Sequence, residues 1–343
     1  MNIVLTLDYE VFFGHQGSGT RRSLIEPTEA LRQVAERHGV PLVVFVDVLW
    51  LLRLAEGIAD EPALAADWHM ATRQLEALAR AGHELQLHLH PHWNDCRWTG
   101  QRWIMDMRRY RLQSLDEGRI GALAFRGARL LRSLSDGAPV SAFRAGGWCL
   151  QPFGPLRQPL LDAGIRIDST VYPGGRQTGA THHYDFTQAP AMSRWHFDTD
   201  PLQPVHNGAF LEVPIASVRA APSLYWRMAL VRKAGLERHR TPGGGEALRP
   251  SRADLLRKLL TPTVSVASFD GLKADLLDPA LAAYRRRGLS DFVILGHPKA
   301  LTPHGLGRLD AFLAAHRREH FVGLNDYLRH LAPLQQPLPP PQA

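Results

Sequence analysis

Short apolar runs alternate with longer segments of helical spacing along most of the chain. The apolar runs 3–7, 41–46 and 84–88 predict buried strands, and the segments 27–38 and 63–81 predict the helices between them. Strands and helices that alternate in this way are typical of a parallel sheet.

The same alternation continues through the second half of the chain. Further helices are predicted at 120–134, 156–163 and 306–316, and further strands at 141–144, 165–168, 210–215, 291–296 and 321–322. About seven strand–helix units fit a closed barrel better than an open sheet. We therefore expect an α/β barrel.

Two segments stand outside this pattern. Residues 220–285 predict a largely helical insertion rich in Arg and Lys, with the glycine-rich loop 241–245 inside it. Residues 333–343 are rich in Pro and Gln and predict a disordered tail. We interpret residues 1–332 as a single barrel domain that carries the insertion.

The composition indicates a folded protein in a reducing compartment. Hydrophobic residues make up 45% of the chain, and two cysteines among 343 residues do not form a disulfide scaffold. The N-terminus lacks the features of a secretory signal, and the longest apolar stretch, 43–52, is too short to span a bilayer. We therefore expect a cytoplasmic protein without a transmembrane segment.

The formal net charge of +7 favours anionic partners such as phosphates, nucleic acid or an anionic membrane surface, and an Arg-rich composition without functional meaning accounts for it equally well. No nucleic-acid-binding motif supports a nucleic-acid partner, and the oligomeric state is left open. The basic insertion is interpreted either as a phosphate-binding element or as a solvated lid.

Ionisable side chains gather where the predicted strands end. Because the loops at the carboxyl ends of parallel strands converge, these positions predict a shared site. The residues concerned are Asp8, Glu10, His88, His90, His92, Arg144, Asp168, Glu212 and His297.

The run His88-Leu89-His90-Pro91-His92 is the strongest chemical signal. Imidazole is a favoured zinc ligand, and catalytic zinc takes three protein ligands and one water. Alternate residues share one side of a strand, but Pro91 argues against a strand that continues, so only some of the histidines converge.

A carboxylate is expected beside the histidines. Asp8 and Glu10 lie on one face of the first strand, so one can bind the metal while the other acts as general base. At the end of a late strand, His297 is suited to protonate a leaving group. Arg144 orients the base or forms a structural ion pair, and Asp168 either caps a turn or contacts substrate.

At these residues the sequence resembles the polysaccharide deacetylases of the NodB-homology type, carbohydrate esterase family 4. Gly82-His83-Glu84 followed by His88 and His92 is similar to the family motif that supplies two metal-binding histidines. The resemblance implies that His88 and His92 are ligands and that His90 has a role in the pocket.

The first motif departs from the family pattern Thr-Phe-Asp-Asp. It reads Thr6-Leu7-Asp8-Tyr9-Glu10, so Asp8 matches the catalytic base and Tyr9 replaces a metal ligand. Either Glu10 substitutes for the missing carboxylate, or Asp8 itself binds the metal. Arg144 in Phe143-Arg144-Ala145-Gly146 resembles the arginine beside the base, and His297 resembles the catalytic acid.

The resemblance implies a distorted (β/α)7 barrel of the glycoside hydrolase and deacetylase type, with a helical insertion. It also implies one divalent metal ion, with zinc expected, and removal of N- or O-acetyl groups from a carbohydrate, such as a precursor of cell-surface polysaccharide. The expected site comprises Asp8, His297 and Arg144 as catalytic residues, His88, His92 and Glu10 as metal ligands, and Tyr9, His90, Trp93, Trp148 and Asp168 as substrate contacts.

Two other functions are consistent with the same barrel. One is hydrolysis of a non-sugar amide. The other is non-catalytic glycan binding, which is suggested by Tyr9, because this residue stands where the family has an aspartate. Aromatic platforms at Trp93, Trp98, Trp103 and Trp148 would favour a sugar, because apolar sugar faces pack on rings.

Overall fold

The computed structural model describes residues 1–12, 19–242 and 252–331. Its strands are β1 (Asn2–Tyr9), β2 (Leu42–Asp47), β3 (Glu84–Leu89), β4 (Arg97–Trp98), β5 (Trp103–Ile104), β6 (Ala142–Ala145), β7 (Ile167–Asp168), β8 (Arg176–Thr178), β9 (His183–Asp185), β10 (Trp195–Phe197), β11 (Phe210–Glu212), β12 (Ser217–Ala220), β13 (Thr263–Val266), β14 (Asp291–Gly296) and β15 (His320–Phe321). Its α-helices are α1 (Glu26–Arg37), α2 (Val48–Gly57), α3 (Leu64–Arg80), α4 (Glu117–Leu134), α5 (Gly154–Asp162), α6 (Pro222–Ala234), α7 (Arg252–Leu260), α8 (Leu277–Arg286) and α9 (Pro303–Ala315).

The main sheet curls into a barrel. Its strands follow the order β10-β11-β7-β6-β3-β2-β1-β14, and all of them pair in parallel except β10 with β11. Single bridges connect two segments to β14: Ile215, after β11, pairs with Val293, and Ser268, after β13, pairs with Leu295. Seven parallel strands therefore surround the interior, as the sequence predicts for a distorted (β/α)7 barrel.

Apolar side chains on both faces of the strands form the core. Val4, Val43 and Phe45 pack inside the barrel, whereas Leu5, Val44 and their neighbours pack outward against the helices. Burial on both faces is why these strands are continuous apolar runs rather than alternating ones. Buried ionisable residues gather near the carboxyl ends of β1, β3 and β6, and that is where the candidate site lies.

The register between strands brings the polar residues into line. Asp8 lies opposite Phe45, Asp47 opposite His88, and His88 opposite Arg144 across three successive pairings. Residues that are partners in a parallel pair point to the same face of the sheet. His88, Arg144 and Asp8 therefore face the interior at one end of the barrel.

The sequence prediction missed one helix near the start of the chain. The apolar stretch 43–52 contains the end of strand β2 and the start of helix α2, which begins directly after Asp47. Continuous burial of both elements removes the change in periodicity that would have separated them.

The predicted insertion contains helices α6 to α8 and also the antiparallel pair β12–β13. Residues 243–245 of its predicted loop lie outside the described residues, as does the predicted tail 333–343. Among the described helices, none is long and apolar enough to cross a membrane.

Candidate active site

Strand β1 delivers two carboxylates to the interior of the barrel. Thr6, Asp8 and Glu10 alternate along one face, and all three are buried. Arg144 Nη1 donates to Asp8 Oδ1 at 2.7 Å and to Thr6 Oγ1 at 3.0 Å. Arg144 Nε donates to the backbone oxygen of Ser169 at 2.7 Å, which fixes the guanidinium plane. Arg144 thus holds Asp8 by Oδ1, and Oδ2 faces a cluster of ionisable side chains that includes His88 and His297.

Glu10 lies at the centre of the cluster. Its Oε2 is 2.7 Å from His90 Nε2 and 3.7 Å from His88 Nε2, and its Oε1 is 2.8 Å from Lys299 Nζ. Burial alone would raise the pKa of this carboxyl, but the charges of Lys299 and His90 outweigh burial and hold the pKa well below its usual range. Glu10 is therefore an anion.

One nitrogen of His88 is oriented by the backbone. Nδ1 lies 2.8 Å from the carbonyl oxygen of Arg144, and because a carbonyl only accepts, Nδ1 is the donor. Nε2 is buried without a hydrogen bond and lies 4.0 Å from Asp8 Oδ2. Burial lowers the pKa of His88, but the Asp8 and Glu10 charges outweigh it and raise the pKa overall.

The structure brings His90, and not His92, to Glu10. His90 keeps extended dihedral angles after β3, so it stays on the face of His88, whereas Pro91–Asn94 form a short 3₁₀ turn. This turn places the His92 ring 5.3 Å from the His90 ring and stacked on Tyr110 at 5.6 Å, measured between ring centroids. Among the described residues, His92 is in neither group of side chains close enough to share one ion, and its expected role as a ligand beside His88 stays a prediction.

Gly146 lets a neighbouring strand end pass close to His90. A Cβ at Gly146 would lie 2.6 Å from His90 Nδ1 and 2.6 Å from the backbone oxygen of Leu89. Any larger residue would have to displace the imidazole or the end of β3. The glycine in the Arg144 motif therefore has a packing role at the site.

His297 faces the same cluster from the end of β14. Its Nδ1 lies 2.8 Å from Asp270 Oδ2, and its backbone N–H donates to Asp270 Oδ1 at 2.8 Å. Nε2 then points at the two carboxylates, 3.7 Å from Asp8 Oδ2 and 3.6 Å from Glu10 Oε1. Burial lowers the pKa of His297, but Asp270, Asp8 and Glu10 outweigh it, so the pKa is raised.

Two overlapping sets of side chains have donor atoms close enough to share one ion. Among the described residues these sets are Glu10, His88 and His90, and Asp8, Glu10 and His297, with the donor atoms of each set within 4.8 Å of one another. Two imidazoles and a carboxylate match the ligands of catalytic zinc. The buried His88 Nε2, which has no hydrogen bond, fits a metal ligand.

Tyr9 does not face this site. It lies between Asp8 and Glu10 on β1, so its side chain points to the other face and packs in the core against the helices. Its hydroxyl donates to Gln74 Oε1 of α3 at 3.0 Å. The structure therefore corrects the expectation that Tyr9 contacts substrate.

Asp168 also lies on the outer face of its strand. Its register partner is Glu212 on β11, and its oxygens accept from the backbone and hydroxyl of Thr170. Burial raises the pKa of Asp168 to about 6, and burial together with Asp168 raises the pKa of Glu212 well above its usual value. Asp168 belongs to a buried carboxyl pair and not to the candidate site.

The tryptophans differ in their surroundings. Trp93 is buried, and its indole N–H donates to Asp47 Oδ2 at 2.7 Å, so it supports the end of β2 and presents no sugar-binding face. Trp148 is partly exposed and lies 5.4 Å from the ring of Tyr172. Of these two expected substrate contacts, only Trp148 has a face open to a ligand.

Three polar residues near the site were not predicted from the sequence. Asp270 follows β13 inside the insertion, and Lys299 follows the His297-Pro298 pair. Asp47 ends β2 opposite His88, and burial raises its pKa. Polar and apolar residues alternate along β13 (Thr263–Val266), which is typical of a strand. The sequence could therefore have indicated Asp270 only as a polar residue soon after a strand.

Comparison with known proteins identifies the fold. The crystal structure of a protein assigned as a polysaccharide deacetylase from Mycobacterium smegmatis has a TM-score of 0.51 and 16% sequence identity, over 98% of this chain and 94% of that chain. This chain has the polysaccharide deacetylase fold. The fold class expected from the sequence is confirmed.

Other structures with a related barrel are more distant. A polysaccharide deacetylase assigned in Pseudomonas aeruginosa PAO1 gives a TM-score of 0.47 at 15% identity, over 96% of this chain and 90% of that chain. PuuE allantoinase gives 0.47 at 14% identity, over 96% and 89%. No family model and no curated protein matches the sequence.

Proposed function

We propose that this chain is a metal-dependent hydrolase that removes acetyl groups, N-acetyl rather than O-acetyl, from a carbohydrate. The observation that carries the proposal is the buried cluster at the carboxyl ends of β1, β3 and β14. There, a carboxylate held by Arg144 and a histidine held by Asp270 face each other across Glu10. Hydrolysis of an acetamide requires a general base that takes a proton from water and a general acid that gives a proton to the departing amine.

Glu10, His88 and His90 would hold one divalent ion, and their nitrogen and carboxylate donors favour zinc. When bound, the ion would lower the pKa of a water molecule and stabilise the negative charge that develops on the substrate carbonyl oxygen. His90 takes the place that the sequence resemblance assigned to His92.

Asp8 acts as the general base. Arg144 holds Oδ1, so Oδ2 is the oxygen free to accept a proton from the attacking water. The guanidinium also supplies a positive charge beside the two neighbouring carboxylates, Asp8 and Glu10.

His297 acts as the general acid. Asp270 accepts from Nδ1, so in the imidazolium form the second proton, on Nε2, faces the two carboxylates and can pass to the departing amine, which leaves a neutral imidazole. The side chain of His297 is 18% exposed, compared with 7% for Asp8 and 6% for Glu10. A substrate that reaches the buried carboxylates would therefore pass beside His297.

A carbohydrate substrate is supported by the partly exposed aromatic rings near the histidine strand. Trp103 packs against Trp93, which directly follows His92, and Trp98 lies 5.4 Å from Trp103. Both Trp98 and Trp103 keep part of their surface open. Such rings can pack on the apolar face of a sugar.

Lys299 favours a second candidate, a non-catalytic glycan-binding relative. Its ammonium is 2.8 Å from Glu10 Oε1 and 3.2 Å from the carbonyl oxygen of Val11. A protein cation beside the central carboxylate could take over the charge balance that a metal otherwise provides. Under this alternative, Glu10 would bind no ion.

Acetate release from acetylated chito-oligosaccharides by zinc-loaded protein tests the proposal. We expect release by the wild type, and a loss of about 10²- to 10⁴-fold in Asp8→Asn with zinc content unchanged. Asp60→Asn, at an exposed turn between α2 and α3, is the matched control and is expected to behave as wild type. Equal release by Asp8→Asn and the wild type would refute the mechanism, and zinc-free protein after reconstitution would favour the second candidate.

A further inference from the structure

The helical hairpin α6–α7 exposes large apolar side chains. Trp226 and Leu230 on α6 are 52% and 64% exposed, and Leu256 and Leu260 on α7 are 58% and 65% exposed. In each pair the two residues are four apart, so they lie on one face of their helix. Within the described part of the chain, no residue of α7 is buried.

The hairpin is nevertheless anchored to the barrel. The opposite face of α6 packs through Leu224 against Leu272, and Arg227 Nη2 donates to Asp275 at 2.9 Å. The indole N–H of Trp226 donates to the backbone oxygen of Leu259 at 3.0 Å, which joins the two helices. The exposed apolar side chains are therefore presented by an ordered element.

Positive charge is concentrated in the same segment. Residues 222–260 contain nine Lys and Arg against three Asp and Glu, a net charge of +6, whereas the whole chain has +7. Exposed cations such as Arg232, Lys233 and Arg257 lie next to the exposed leucines along the helices. Almost all of the excess charge thus belongs to the part of the protein that exposes apolar side chains.

This combination fits one kind of partner. Apolar side chains flanked by Lys and Arg on a helix are the pattern of elements that lie in the interface of an anionic bilayer. A soluble polyanion would use the cations but would leave the leucines in water, and an apolar protein surface would leave the charges unmatched.

We propose that the α6–α7 hairpin docks on the surface of an anionic phospholipid bilayer. Trp226, Leu230, Leu256 and Leu260 would enter the headgroup region, and the neighbouring cations would contact the lipid phosphates. The hairpin follows the carboxyl end of β11, and the chain returns through β13 to Asp270, the partner of His297. Docking would therefore hold the candidate site near a membrane-borne substrate.

Co-sedimentation of the full chain with vesicles tests this proposal. Phosphatidylcholine vesicles containing phosphatidylglycerol are expected to bind the protein, and pure phosphatidylcholine vesicles are expected to bind it at least ten-fold more weakly. Arg232→Gln/Lys233→Gln should weaken binding about 25-fold, since each cation near an anionic surface contributes about five-fold. Added salt should weaken binding further.

Matched variants separate this surface from general effects. Leu256→Ser/Leu260→Ser should lose vesicle binding more than ten-fold with an unchanged melting curve, whereas Phe125→Ser, an exposed aromatic on α4, should not. Arg317→Gln/Arg318→Gln, an exposed cation pair after α9, should also bind as wild type.

Several outcomes would overturn the docking proposal. These are no binding to anionic vesicles, equal loss in the control variants, or a dimer in analytical ultracentrifugation that Leu256→Ser/Leu260→Ser abolishes. Vesicle binding requires no turnover, so this result is independent of whether the protein releases acetate.

Discussion

The guanidinium of Arg144 and the carboxylate of Asp8 form a buried ion pair, with Nη1 2.7 Å from Oδ1. The same guanidinium is bonded to Thr6 and to the backbone of Ser169, so three neighbours determine its position. Arg144 therefore orients the proposed general base and compensates for its burial at the same time.

Arg144→Lys should separate these two effects. A lysine keeps the charge but cannot make the planar set of hydrogen bonds, so acetate release should fall about 100-fold through misplacement of Asp8. Stability should fall by about 2 kcal/mol. Arg132→Lys is the control, because Arg132 bonds only to backbone oxygens of Val140 and Ala163 among the contacts described. Wild-type activity in Arg144→Lys would contradict the assigned role.

The identity of the second imidazole ligand can be tested by zinc binding alone. His90→Ala should weaken zinc binding at least ten-fold, because His90 Nε2 lies 2.7 Å from Glu10 Oε2. His92→Ala is the matched variant and should keep zinc, because its ring stacks on Tyr110. Calorimetric titration with zinc, after metal has been removed from both variants with a chelator, distinguishes them. A larger loss of zinc affinity in His92→Ala than in His90→Ala would show that His92 is the ligand.

The acid role of His297 predicts a pH dependence. Asp270, Asp8 and Glu10 raise the pKa of His297, so its protonated form persists to higher pH than in an isolated histidine, and its function as an acid is lost as pH rises through that pKa. Asp270→Asn removes the carboxylate at Nδ1, so the alkaline limb of the kcat/KM profile should move down by about one pH unit. Asp275→Asn, which removes the partner of His304 outside the site, should leave the limb in place. An alkaline limb that is unchanged in Asp270→Asn would argue against His297 as the acid.

Tyr9→Phe tests the orientation of β1. Removal of the hydroxyl leaves Gln74 Oε1 without its donor and should cost about 1 kcal/mol in unfolding free energy, measured by urea denaturation. Acetate release should be unchanged, because the ring lies on the outer face. A loss of activity of more than ten-fold with retained stability would place Tyr9 in the site.

Strand periodicity and motif spacing predict different histidines as the second metal ligand. Alternation along β1 correctly placed Asp8 and Glu10 on one face, and alternation along β3 also joins His88 with His90. The four-residue spacing of the resemblance indicated His92 instead. A short turn at Pro91–Asn94 leaves His90, and not His92, beside Glu10, and turn geometry depends on tertiary contacts that the sequence does not display.

The same limit explains the other differences. Asp168 and Glu212 were recognised as polar residues at strand ends, but the face they occupy follows from the register of β6, β7 and β11. Asp270 reaches His297 only because the segment after β13 pairs with β14. Contacts between distant segments of this kind are set by how the barrel closes, whereas the parallel strands of the main sheet and most of the helices between them were predictable from local patterns.

Acetate release before and after removal of metal tests the central claim most directly. The wild-type protein is treated with a chelator, freed of it, and assayed with acetylated chito-oligosaccharide while zinc is added back in steps. The proposed site predicts no release from the chelated protein and full recovery at one zinc per chain. Release that persists unchanged after complete removal of metal, or no release from the zinc-loaded protein, would contradict a metal-dependent deacetylase.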